Sequence, residues 1–196
     1  MVLLTSGSRD RLCPFKKWSC ICIIVPLLIS GLAAGKSAAK SFKASQVKAA
    51  FIYNLGNFVK WPEVQWSDDS DAFVILVFGN DDIANNLEIL TRGERIQGHP
   101  VIIRRASSVN DLGACNIVFV GASKINEWPQ IKEACNGKSI LTVGDSEAFI
   151  KEGGMINLAR RERRIHLEIN IDAATRANLR LNSRLLKIAR IVSPEQ

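Results

Sequence analysis

Short apolar runs alternate with amphipathic segments along most of the chain, and this alternation predicts strands and helices in turn. Residues 44–60 carry apolar side chains at helical spacing, and Pro62 ends that helix. Four apolar runs rich in branched residues are typical of strands buried on both faces, at residues 73–78, 101–104, 117–120 and 140–143. Helical patterns follow these strands at residues 83–90, 108–112, 128–134 and 146–151. The alternation predicts an α/β fold, Rossmann-like, with an open, mostly parallel sheet and helices on both faces.

The pattern changes after residue 153. Residues 155–159 and 165–171 flank the charged sequence RRERR, and the second of these segments alternates strictly between apolar and polar positions. Two such segments around a polar tip predict an antiparallel hairpin, which we place at the edge of the sheet. Asp172 is then expected to cap one helix, and Ser183 is expected to cap a last one that runs to about residue 192.

The first 39 residues have the three parts of a signal peptide. A basic segment precedes a charge-free apolar run of 17 residues, from Trp18 to Ala34, and small residues follow. That run is at the lower limit for spanning a bilayer, so an uncleaved membrane anchor is the alternative. Residues 40–196 are then a single α/β domain, exported across the membrane or tethered at its far face.

Composition changes the picture less than it first suggests. The chain has a formal net charge of +7, but four of those charges belong to the leader. The remaining domain is close to +3, which is weak evidence for nucleic-acid binding, and we predict no nucleic-acid partner. Three of the five cysteines also belong to the leader, which leaves Cys115 and Cys135. In an oxidising compartment they are a candidate disulfide, and two ordinary buried thiols are the alternative.

Catalytic motifs are absent from the sequence. It has no phosphate-binding loop, no GxGxxG after a strand, no GxSxG and no HExxH, so we predict no enzyme, no cofactor and no metal site. Asp81 and Asp82 follow one strand and Asp145 follows another. Ligands of open parallel sheets bind at the carboxyl ends of the strands, so these three residues are candidates for a small-ligand rim. The alternative is that each one caps a helix.

Two features are candidates for contact with a partner protein. The RRERR tip contributes Arg161, Arg163 and Arg164, although hairpin tips are solvated by default. Trp66 follows the first helix closely and is either part of the core or an exposed aromatic platform. Trp61, nearer the helix, is expected in the core.

Several of these segments, in this order, resemble the YfiR family of periplasmic proteins. They are VKAAFIYNLGNFVKWP, ILVFGND, IQGHPVIIRR, CNIVFVG, ILTVGD, EGGMINL and RIHLEINIDAATRANLRLNSRLLKIARIV. The resemblance covers nearly all of residues 44–193, and the first and last segments are the most specific.

The resemblance implies a regulatory role. Members of the family are exported α/β proteins, often dimeric, and the best-known type holds an inner-membrane diguanylate cyclase inactive. An outer-membrane partner relieves that inhibition, which raises cyclic-di-GMP and favours biofilm formation. Other members occur beside other membrane sensors, so a kinase-type sensor is also implied as a partner. The best-known type has two disulfides, whereas this domain has only two cysteines and can form one bond at most.

Overall fold

The structure is a computed structural model that describes residues 35–62, 72–162 and 164–193, with side chains from residue 44 onward. The leader up to residue 34, together with Trp66 and Arg163, lies outside the described residues. Ser37–Gln196 form one compact unit. Among the described residues, no helix combines the length and the apolar character that crossing a membrane requires.

The amino-terminal helix packs on the sheet through its apolar stripe. Helix α1 (Gly35–Phe58) passes directly into strand β1 (Val59–Lys60), as the break before Pro62 predicts. Ala49, Ile52 and Leu55 are buried. The free carbonyl groups at the end of the helix are satisfied by a distant side chain, because Gln97 Nε2 donates to the carbonyl oxygens of Gly56 and Val59 at 2.9 and 2.7 Å.

Strands and helices alternate over the middle of the chain, which confirms the predicted α/β class. The elements in order are β2 (Phe73–Phe78), α2 (Asp81–Leu90), β3 (Arg95–Ile96), β4 (His99–Ala106), β5 (Ile117–Val120), α3 (Trp128–Cys135), β6 (Leu141–Gly144) and α4 (Glu147–Lys151). The carboxyl-terminal elements are β7 (Ile156–Arg161), β8 (Arg164–Ile169), α5 (Ile171–Arg176), β9 (Arg180–Leu181), α6 (Ser183–Ile188) and β10 (Arg190–Ile191). Eight strands form one sheet in the order β10-β8-β7-β6-β5-β2-β4-β3, and β1 and β9 form a second, two-stranded one.

The main sheet is mostly parallel and carries the predicted hairpin. Strands β4, β2, β5, β6 and β7 run parallel to one another. Strand β8 pairs antiparallel with β7, and the short β3 pairs antiparallel with β4. Strand β10 adds to the far side of β8 in parallel. The hairpin is therefore one strand in from the edge, because the end of the chain returns to the sheet, which sequence patterning did not predict.

Both faces of the sheet are covered, as the continuous apolar strands predict. Strand β2 shows the division, since Ile75 and Val77 belong to one core cluster and Leu76 and Phe78 to the other. The first cluster receives α1, α2, α5 and α6, and the second receives α3 and Phe149 of α4. Trp61 is buried in the first cluster, edge-to-face against Phe73 with ring centroids 5.1 Å apart.

Helices α2, α5 and α6 start within one or two positions of the predicted sites, whereas α1 begins at Gly35, nine residues before its predicted start. Asn80, Asn170 and Asn182 cap α2, α5 and α6, and each accepts a backbone N–H in its side-chain carbonyl. Asp172 and Ser183 therefore lie inside their helices rather than at the caps. The predicted helix at residues 108–112 is a single 3-10 turn at Val109–Asp111.

Candidate functional site

Asp145, at the carboxyl end of β6, is bonded to other parts of the same chain. Its Oδ2 lies 2.7 Å from Nζ of Lys48 on α1, and its Oδ1 accepts the backbone N–H of Ala122 at 2.7 Å. The two charged side chains are only 12% (Lys48) and 6% (Asp145) exposed. This carboxylate is therefore paired and nearly buried, and it ties the first helix to the carboxyl edge of the sheet.

The other two predicted rim residues are exposed, unlike Asp145. Asp81 and Asp82 are exposed in the first turn of α2, where negative charge is favourable, but Asn80 is the cap. The Asp81 side chain is 90% exposed and lies 3.9 Å from Arg105. The three aspartates do not gather into one carboxylate cluster. In the described part of the chain, no group of three His, Cys, Asp or Glu side chains is placed to hold a metal ion.

The loops at this edge pack directly on one another. Ser123 Oγ donates to the carbonyl oxygen of Gly79 at 2.7 Å. A Cβ at Gly121 would lie 3.1 Å from the carbonyl oxygens of Phe78 and Gly79, so only glycine allows this approach without a shift. Close packing of the loops after β2 and β5 explains why Asp145 faces Lys48 and a backbone amide rather than an open crevice.

The two cysteines are free, buried thiols, and the predicted disulfide is not formed in the structure. Both belong to the same apolar cluster as Trp128 and Ile131. Burial, together with the nearby Cys135, raises the pKa of Cys115 to about 12. Burial raises the pKa of Cys135 to about 11. The structure thus shows the alternative of two ordinary buried thiols, held as thiols because an apolar environment disfavours the thiolate.

The β7–β8 hairpin holds a buried carboxylate that the sequence pattern did not predict. The side chain of Glu168 is 3% exposed, and it accepts from Arg161 Nη2 at 2.6 Å and from Asn157 Nδ2 at 2.9 Å. Arg190 Nη2, on β10, lies 3.8 Å from the same carboxylate. Strict alternation in residues 165–171 predicted that Glu168 and Asn170 face solvent, whereas both are buried. The alternation gave no signal of this burial, because Glu168 occupies a regular polar position of the pattern.

The predicted contact residues of the hairpin therefore have different roles. Arg161 is paired with Glu168 and is 49% exposed, while Arg164, its cross-strand neighbour, is exposed. Glu162 makes the turn with a φ of 56°. A cavity of about 810 Å³ opens beside Arg161, between α4 and the end of the chain, and Glu168, Arg190 and Lys151 also line it.

Exposed apolar side chains lie on the last elements of the chain and on α2. Ile188 at the end of α6 is 68% exposed and Ile191 on β10 is 46% exposed. Ile89 on α2 is 69% exposed. The neighbours of Ile188 include the exposed cations Lys187 and Arg190. We call these four exposed residues, two apolar and two basic within five positions of the sequence, the α6–β10 patch.

The comparison with protein families is decisive for the identity of this chain. The model of the YfiR/HmsC-like family matches residues 45–190. The chain belongs to the YfiR/HmsC-like family. This is a family of periplasmic regulators associated with cyclic-di-GMP signalling, rather than of enzymes, and the resemblance noted in the sequence is confirmed. No curated protein matches the chain.

Solved structures share the fold at low sequence identity. The ABC domain from Streptococcus pneumoniae, solved in complex with L-Trp, has a TM-score of 0.52 and 11% identity. A conserved domain protein from Vibrio cholerae O1 biovar El Tor has a TM-score of 0.51 and 13% identity. Each match covers 76% of this chain and 60% of the other, so the chain spans well under two thirds of these structures. At this identity the likeness shows the fold alone.

Proposed function

We propose that this protein is an exported periplasmic regulator that binds and inhibits an inner-membrane signalling protein. A diguanylate cyclase is the first candidate partner and a kinase-type sensor the second. With a cyclase partner, the protein lowers cyclic-di-GMP and restrains biofilm formation. The observation that carries this proposal is the family match over residues 45–190, which includes almost every described element.

The chemistry of the described residues supports a binding role. The two thiols have raised pKa values, so neither is an activated nucleophile. Asp145 is already bonded to Lys48 and to a backbone amide. A protein without a catalytic group acts on a partner only by binding two of its states unequally. A difference of about 1–3 kcal/mol between those states, or about 5–150-fold, is sufficient for regulation.

We assign the contact to the α6–β10 patch. Helix α1 is the other terminal helix. Among its side chains described from residue 44 onward, Ala49, Ile52 and Leu55 are turned inward and Val47 is the one large apolar side chain that is exposed. The patch presents Ile188 beside exposed cations, which fits an apolar surface with acidic residues around it on the periplasmic region of the sensor. Exposed apolar anchors with a charged surround are typical of interfaces that form and separate.

The experiment compares two isoleucines that are almost equally exposed. Ile188→Asp places a charge in the α6–β10 patch, and Ile89→Asp makes the same change on α2, at 68% and 69% exposure respectively. We expect a strain that lacks the gene to have raised cyclic-di-GMP. Wild type and Ile89→Asp restore the low level, and Ile188→Asp does not, although it accumulates in the periplasm to the same amount.

Co-purification from membranes identifies the sensor in the same strains. The wild-type chain is expected to retain the sensor, and Ile188→Asp to lose it. Unchanged cyclic-di-GMP in the strain without the gene contradicts the cyclase partner, and sensor autophosphorylation then tests the kinase type. If Ile89→Asp alone abolishes regulation, the contact surface is on α2 and our assignment of the patch is wrong.

Two further parts of the proposal concern assembly. We propose that the protein forms a homodimer, which sedimentation equilibrium measures directly as a mass twice that of the chain. We also propose that an outer-membrane partner relieves the inhibition, and a cross-linked complex in the envelope of intact cells is the expected result. Fractionation of cells tests the periplasmic location.

A further inference from the structure

A cavity at the β7–β8 hairpin has two arginines placed around one buried carboxylate. Glu168 forms its base and is 3% exposed, with Arg161 bonded at 2.6 Å and Arg190 at 3.8 Å. Burying a carboxylate costs several kcal/mol unless it is paired, and Arg161 with Asn157 already supplies two charge-assisted hydrogen bonds. The charge of Glu168 is therefore already compensated without Arg190, so the positive charge of Arg190 is in excess.

Both arginines keep unused donors on the cavity side. Arg161 is 49% exposed and Arg190 is 61% exposed, and a guanidinium carries five N–H donors in a planar fork. Lys151 on α4 lines the same cavity, and its charge partner in the described part of the chain is Glu147 at 3.7 Å. Three cationic side chains and two carboxylates therefore surround the space, which leaves one positive charge uncompensated.

Apart from Ser193, the remaining wall of the cavity is apolar. Ile150 of α4 contributes to it together with Ile191 and Val192 at the end of the chain. The volume of about 810 Å³ lies within the range of about 300–1,000 Å³ that is usual for small-molecule sites. A site with a fixed cationic side and an apolar side selects a ligand that has both characters.

We propose that this cavity binds a small organic acid that has one carboxylate, an apolar body and no cationic group. The carboxylate accepts from the free donors of Arg161 and Arg190, whose planar forks match its geometry. A single carboxylate balances the one uncompensated charge. A cationic group on the ligand adds to this net positive charge and is disfavoured. This function goes beyond the regulation of a sensor and needs no partner protein, so binding is measurable on the purified chain alone.

The test uses 4-phenylbutyrate and its neutral amide, 4-phenylbutyramide, in isothermal titration calorimetry with the purified full-length chain. Acetate is the headgroup without an apolar body. We expect saturable binding of the acid, no binding of the amide at the same concentrations, and weaker binding of acetate. Arg190→Ala is expected to lower the affinity for the acid by about 10-fold or more, since a hydrogen bond between charged groups is lost.

The matched control is Arg184→Ala, which removes an equal charge from an exposed position on α6 outside the cavity. It is expected to leave the affinity within about 2-fold of wild type, whereas Lys151→Met on the opposite wall weakens it. Circular dichroism confirms that each variant is folded. Absence of saturable binding by wild type overturns the proposal. Equal binding of acid and amide overturns it, and so does an equal loss in Arg184→Ala and Arg190→Ala.

Discussion

The ion pair between Lys48 and Asp145 is expected to contribute strongly to the stability of the fold. Asp145→Asn keeps the shape of the side chain and an oxygen for the Ala122 amide, but it removes the charge that faces Lys48. The lysine is only 12% exposed, so its ammonium group is left without a partner in a largely desolvated position. Removing one member of a buried pair costs about 3–5 kcal/mol, and we expect about 3 kcal/mol because some solvent reaches the lysine.

The loss is measured by urea denaturation followed by far-UV circular dichroism. In a thermal melt of a domain of this size, a loss of about 3 kcal/mol in the free energy of unfolding corresponds to a decrease of roughly 6–12 °C in Tm. Lys48→Met is expected to have a similar cost, because it leaves the Asp145 carboxylate without its cation. In the double variant neither charge remains, so its cost is expected to be smaller than the sum by about 1–3 kcal/mol.

The exposed pair of Lys151 and Glu147 is the internal control. Their atoms are 3.7 Å apart and the side chains are 76% and 77% exposed. Lys151→Met is expected to change the free energy of unfolding by less than about 0.5 kcal/mol. A cost of Asp145→Asn below about 1 kcal/mol, or simple additivity of the two single variants, refutes the reasoning.

The remaining predictions concern the thiols and one close backbone approach. Cys115 and Cys135, with pKa values of about 12 and 11, are expected to react with Ellman's reagent at pH 8 at least about 100-fold more slowly in the folded protein than in guanidinium chloride, and faster as pH rises. If neither cysteine reacts even after unfolding, the two are joined in a disulfide instead. Gly144→Ala places a Cβ 2.4 Å from Cγ of Phe149 and is expected to destabilise the fold by about 1–3 kcal/mol in the urea assay. Gly113→Ala meets only the end of an arginine side chain, at 3.2 Å, and a cost as large as that of Gly144→Ala refutes the steric explanation.

The central strands were predictable from the sequence because a strand that is buried on both faces is apolar along its whole length. Strands β2 and β5 match their predicted bounds, and the β7–β8 pairing follows from the turn-like RRERR segment between two short apolar runs. Helix caps were misplaced because Asn, Asp and Ser are all good caps. Asn170 and Asp172 compete within one turn, and the choice depends on where the preceding strand ends.

The contacts of the candidate sites could not be predicted from the sequence, because they join distant parts of the chain. Lys48 and Asp145 are 97 positions apart, and nothing in the local pattern of either one indicates the other. The burial of Glu168 depends on β10, a strand of two residues that is too short to show a period. A charged residue in an alternating strand is placed on the solvent side by default, and only the returning end of the chain changes that.

The small sheet of β1 and β9 has a consequence for the order of folding. Val59 at the end of the first helix pairs with Leu181. Next to it, the backbone N–H of Asn182 donates to the carbonyl oxygen of Phe58. An element near the beginning of the domain is thus completed only when almost the whole chain is present. Contacts of such long range form late and slow the reaction. In a chain exported amino terminus first, as we propose for this one, the small sheet therefore cannot form until residue 181 has crossed the membrane.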